Sequence, residues 1–168
     1  MKKIPLPVLL CLAAILILTA CTKTPDIPQE TPKTPLTAEE FTRKAEAAGF
    51  NIEELAASWE PGTGVINCLR TGKDGYELYF FLFDTLENAI ILYEFHKNDL
   101  EAQNDDSFEE DFSSGENYEW YMLTHKEQFS YGMYSMYSRI ENTMIMVNEY
   151  ASNKEVLNLF IKDLGYLD

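Results

Sequence analysis

The sequence predicts an α+β fold: an antiparallel sheet of about five strands with helices packed on it, in the order α-β-β-α-β-β-β-α. Three observations lead there. Three segments open with a capping side chain, a glutamate three residues on and apolar residues at helical spacing. Between them lie runs rich in aromatic and β-branched residues, joined by turn-forming pairs. Nothing alternates strand with helix in the way that parallel pairing demands.

The first helix opens at Thr37, with Glu40 completing a capping box and Leu36 placed to staple against Phe41. Phe41, Ala45 and Ala48 line one face, and Gly49 ends it. Segment 50–60, "FNIEELAASWE", fits either a helical turn or an irregular strand. Strands are expected over Val65–Arg70 and Tyr76–Phe83, flanking the turn "TGKDG". Asp84 with Glu87 opens the second helix, in which Leu86, Ala89, Ile90, Tyr93 and Leu100 recur at helical spacing until it fades near Gln103. Strands follow over Tyr118–His125, Phe129–Ile140 and Thr143–Tyr150. Ser152 with Glu155 opens the last helix, which turns Val156, Leu157, Phe160, Ile161 and Leu164 inward and stops at Gly165.

The stretch "FSYGMYSMYSR", Phe129 to Arg139, poses the main functional question. Ile140-Glu141-Asn142-Thr143 suits a two-residue hairpin loop, with Asn142 tolerant of positive φ. Ile140 then faces Thr143 and Met136 faces Val147, and with Tyr134 and Ile145 they form a core face. The opposite face carries Tyr131, Met133, Ser135, Tyr137 and Arg139 beside Met144, Met146, Asn148 and Tyr150. Two readings compete for it. Either a helix or the region of Phe108 and Phe112 covers it, or Tyr131, Met133, Tyr137, Arg139, Met144, Met146 and Tyr150 form an exposed face for a protein, peptide or glycan. A Cu(I) site of thioethers is a sharper alternative, for which Met122 would have to join Met144 and Met146.

At the N-terminus, Lys2 and Lys3 precede an apolar run from Val8 to Leu18 and then "LTAC" ending at Cys21. That is the layout of a secretory signal peptide, too short to span a bilayer. The "LTAC" motif resembles the lipobox of bacterial lipoproteins. The resemblance implies a signal peptide over residues 1–20, lipid on Cys21 as the mature N-terminus, and a place on the extracytoplasmic side of the cell membrane. From Cys21 to Leu36 the chain reads as a lipidated cysteine and an extended tether, with Pro25, Pro28, Pro32 and Pro35. A single globular domain over 37–168 follows. The tether, the pattern from Phe41 through Glu46 to Gly49-Phe50, and the "SRIENT" hairpin from Ser138 to Thr143 together resemble small surface lipoproteins of Gram-positive bacteria. That second resemblance implies a location and no activity.

Cleavage before Cys21 removes two lysines and takes the formal charge from −15 to −17, which disfavours nucleic acid and anionic lipid headgroups as partners. Cleavage also removes Cys11, and lipid occupies Cys21, so Cys68 is the one thiol of the domain and reads as a small buried side chain. The acidic stretch Asp99–Glu116 is expected to be a solvated loop, with a weak cation site or a basic partner as alternatives. His96 and His125 lack the partners of a metal site. No nucleophile elbow, HExxH or phosphate loop occurs, and no cofactor is implied. The expectation is a non-catalytic binding or accessory module at the envelope, with a small envelope hydrolase as the alternative.

Overall fold

The computed structural model describes residues 31–55, 62–126 and 132–168. Helix α1 (Ala38–Ala47) leads into β1 (Asn51–Glu54), β2 (Val65–Lys73) and β3 (Tyr76–Phe83). Helix α2 (Leu86–Gln103) is followed by β4 (Phe108–Ser114), β5 (Tyr118–His125), β6 (Met133–Ile140) and β7 (Thr143–Tyr150). A single 3-10 turn over Ala151–Asn153 then runs into α3 (Lys154–Leu164). The strands form one open antiparallel sheet of seven, ordered β1-β2-β3-β7-β6-β5-β4.

Alternation along the strands creates two cores. On one face α1 and α3 bury Phe41, Ala45, Leu157, Phe160 and Ile161 against Phe80, Met136, Ile145 and Val147. On the other, α2 buries Ala89, Tyr93 and Leu100 against Phe81, Phe83, Tyr137, Met144 and Met146. Cys68 packs into this second core as a small buried side chain.

The sequence places the three helices and most of the sheet correctly, with instructive differences. Seven strands replace the expected five: β4 lies in the stretch expected as a loop, and β1 in the segment that fits either a helical turn or an irregular strand. Both are edges, and an edge strand outside the core lacks the burial pattern by which strands are recognised. The stretch Asp99–Glu116 is accordingly not a loop: it is the end of α2, a short turn and the whole of β4. Segment 50–60 resolves in its first part as β1, and residues 56–61 lie outside the described residues, as do 127–131 at the expected start of the sixth strand.

The capping box at Thr37 forms as expected: the Glu40 N–H donates to Thr37 Oγ1 (3.1 Å) and the Thr37 N–H to Glu40 Oε2 (2.9 Å). The Thr37 N–H and hydroxyl, both donating to Glu40 Oε2, hold the Glu40 carboxyl below its ordinary pKa. Helix α2 is capped by Thr85 instead of Asp84, with the Asn88 N–H reaching the threonine hydroxyl at 3.2 Å. Asp84 accepts from Asn88 Nδ2 (2.8 Å) above Gly64, whose φ of +72° and lack of a side chain admit both groups. Helix α3 has no side-chain cap, because the 3-10 turn feeds its first residues directly. In α2 Leu86 and Ile90, expected on the core face, are exposed, as is Val156 in α3.

The β6–β7 hairpin has the expected register, Ile140 opposite Thr143 and Met136 opposite Val147. Glu141, at φ +50°, takes the positive dihedral that Asn142 was expected to take. Asn142 instead donates through Nδ2 to the Phe83 carbonyl (2.9 Å), which ties the hairpin to β3.

The chain joins the domain before residue 37. Asn117 brackets the backbone of Lys33, accepting from its N–H (3.0 Å) and donating to its carbonyl (2.7 Å). Lys33 Nζ pairs with Asp168 Oδ1 at 2.7 Å and lies 4.2 Å from the Tyr118 ring centroid.

Candidate functional site

The tyrosine and methionine face is assembled by β6 and β7, whose register sets Met133 opposite Tyr150, Ser135 opposite Asn148, Tyr137 opposite Met146 and Arg139 opposite Met144. Helix α2 divides it. The inner half, Tyr137, Arg139, Met144 and Met146, is buried at 0–7 % exposure. It is therefore core and not an exposed platform. Its polar atoms are answered inside the protein. The Tyr137 hydroxyl donates to Asn148 Oδ1 (3.2 Å), and the His96 ring lies on the Tyr137 ring at 4.9 Å and 18°. Burial raises the Tyr137 phenol pKa and lowers that of His96, the latter against a smaller upward pull from Asp99.

Arg139 donates through Nε (3.1 Å) and Nη2 (2.6 Å) to Glu119 Oε1, and through Nη1 to the Glu141 carbonyl (3.2 Å). This pair is a structural brace whose donors point at the protein and not at a ligand. At the outer half, Met133 and Tyr150 are 46 % and 49 % exposed, and Asn148, two residues before Tyr150 on β7, is exposed as well. Tyr131 lies outside the described residues.

The Cu(I) alternative fails on geometry. Met122 belongs to the core beneath α1 and α3, whereas Met144 and Met146 belong to the core beneath α2. The sheet stands between them.

The acidic stretch is also spread out by its strand. Side chains at Glu109 and Asp111 fall on one face of β4 and Glu110 on the other. Asn104 Nδ2 donates to Glu110 (3.1 Å), and Asp105 accepts from the Ser107 hydroxyl (2.5 Å) and N–H (2.8 Å), which together lower the Asp105 pKa. Among the described residues no group of three histidine, cysteine, aspartate or glutamate side chains could hold a metal ion.

Three concavities of about 650, 540 and 470 Å³ open on the surface. The first follows α3 along Lys154, Asn158, Leu159 and Lys162, and the second surrounds Arg70, which is bonded to Glu53. The third lies at the start of α2 between Asp84, Ile90, Glu116 and Glu141. None of the three is lined by a histidine or cysteine. His125 meets Phe108 edge-on at 5.2 Å.

What the surface does offer is apolar contact area. Ile91 and Phe95, four residues apart on the outward side of α2, are each 59 % exposed, and Phe112 on β4 is 67 % exposed. Phe112 was anticipated only as a possible cover for the tyrosine face, and its place on an edge strand carried no sequence signal. No family model, curated protein or solved structure matches the chain.

Proposed function

We propose that the chain is a lipoprotein held on the extracytoplasmic side of the cell membrane through lipid on Cys21, and that its domain is a non-catalytic binding module. The location rests on "LTAC" and the short apolar run before it. Docking at Lys33 moves the start of the globular unit forward from residue 37, so the proline-rich stretch that follows Cys21 is shorter than 21–36. The observation that carries the binding role is the exposure of Ile91, Phe95 and Phe112 on a domain whose polar centre, Arg139 with Glu119, is satisfied internally. A hydrolase would need a histidine beside a carboxylate and a reactive hydroxyl in a cleft. His96 instead lies flat on a tyrosine ring and His125 against Phe108.

The test has two parts. Cys21→Ser should move the protein from the detergent phase to the aqueous phase in a phase-partition assay, and unchanged partition would overturn the anchor. A photo-crosslinker at position 95 or 112 in living cells should give discrete adducts that one at position 46 on α1 does not give. Identical patterns at all three would overturn the binding role.

A further inference from the structure

We propose that the outer edge of β4 is a strand-addition site for a cationic, extended peptide segment of a partner protein. The inference rests on the binding-module reading and names its site and partner. Hydrogen bonds from the Gly115 N–H to the Tyr118 carbonyl (2.9 Å) and from the Lys126 N–H to the Ser107 carbonyl (2.8 Å) fix the phase of the β4–β5 ladder. Odd-numbered residues of β4 therefore turn their backbone groups toward β5, and Glu110, Phe112 and Ser114 turn theirs outward. The pairing with β5 runs from Phe108 to Ser114 without a shift in register. Proline and bulges, which blunt many edges, are absent from this strand.

Charge selects the occupant. The stretch from Asn98 to His125 has no lysine or arginine. Among the described residues no ion pair involves Glu109, Glu110 or Asp111. The opposite edge differs: on β1, Glu53 is bonded to Arg70 and Glu54 accepts from Asn67 (3.1 Å). A second copy of the chain is a poor occupant: antiparallel pairing of two β4 strands about Glu110 sets Glu109, Glu110 and Asp111 against their own like, and any other register still brings two acidic strands with no lysine or arginine side by side. A strand with lysine or arginine at alternate positions would lie beside Glu109 and Asp111 on one face. Its intervening apolar residue would cover Phe112 on the other. Backbone pairing gives such a complex affinity, and the alternate side chains give it selectivity.

The experiment titrates the detergent-solubilised full-length protein with two labelled peptides of equal charge, Lys-Thr-Lys-Val-Lys-Thr-Lys and Lys-Pro-Lys-Pro-Lys-Pro-Lys. The second cannot pair as a strand. The first should bind at least about tenfold more tightly than the second, since each backbone hydrogen bond contributes a factor of several. Phe112→Pro removes one outward N–H and leaves the ladder to β5 intact, so it should weaken the first peptide about tenfold while the melting temperature changes little. Glu109→Lys with Asp111→Lys should weaken it by about as much without touching Phe112. Equal binding of the two peptides would mean attraction by charge alone and would overturn strand addition. Absence of binding by either peptide overturns the edge assignment, while adducts at position 95 would leave the binding-module reading standing. Loss of both results would remove the two readings together.

Discussion

The two faces of the sheet are built from the same strands and closed in different ways. On the α1 and α3 side two helices and the C-terminal residues meet, and the Phe41 ring stacks on Phe80 at 4.5 Å. Polar groups there turn on one another: Ser138 donates to the Tyr166 carbonyl (2.6 Å), and the Tyr166 hydroxyl sits against Thr143, with burial pushing its pKa up to about 12. On the other side, among the described residues, a single helix covers the middle of the sheet, and a guanidinium, a half-buried imidazole and a phenol pack there. One helix, ~10–12 Å across, is narrower than seven strands spaced ~4.8 Å apart. The margin of that face, Met133, Tyr150 and Phe112, is consequently left in water. Surface available for contact thus follows from the count of helices per face.

The largest expected loss is at the centre of the two-helix face. Phe80→Ala should lower stability by about 3–5 kcal/mol in urea unfolding, because Phe80 is fully buried and stacked. A loss under 1 kcal/mol would mean that this face is less sealed than its geometry indicates.

Next comes the brace on the one-helix face. Arg139→Met alone should cost about 3 kcal/mol by leaving Glu119 without its partner, and adding Glu119→Gln should restore a large part of it. Additive losses in that double-mutant cycle would show that the two side chains act separately.

The division of the tyrosine and methionine face is sharpened by a matched pair of substitutions. Met146→Ser should cost about 2–4 kcal/mol and Met133→Ser no more than about 0.5 kcal/mol. Equal effects would contradict the boundary that α2 draws.

The smallest effect is a slope with pH. Burial lowers the folded pKa of His96 below 6.5, so the unfolded chain takes up the proton first. Stability from this group is complete above pH 6.5 and falls as the pH drops from there toward the folded value. His96→Phe should keep the stack on Tyr137 and flatten that part of the stability curve. An unchanged slope would assign the dependence to other groups.

Reading the sequence succeeded where a residue's partners lie close along the chain. Thr37 and Glu40 meet within one helical turn. The glycine after Leu164 adopts the left-handed cap at φ +88°. The pairing of β6 with β7 follows from its two-residue loop. The face of Met136 and Val147 was legible as core for the same reason. The opposite face was not, because Tyr137 and Met146 are amphipathic enough to serve as interior or as surface. Their burial depends on where α2, more than 30 residues earlier in the chain, comes to rest.

Within the described residues, the sequence by itself determined the class of the fold, its helix boundaries to within a few residues and the register of the β6–β7 hairpin. These depend on caps, turns and periodicity, which act over a few residues. Only the tertiary structure decided that the sheet has seven strands, that α2 seals half of the tyrosine and methionine face, and that "FEEDFSS" is an exposed edge. Strand β4 has no buried stripe of its own and becomes a strand by hydrogen bonding to β5. Burial and pairing between distant segments are properties of the assembled chain, and local sequence does not encode them.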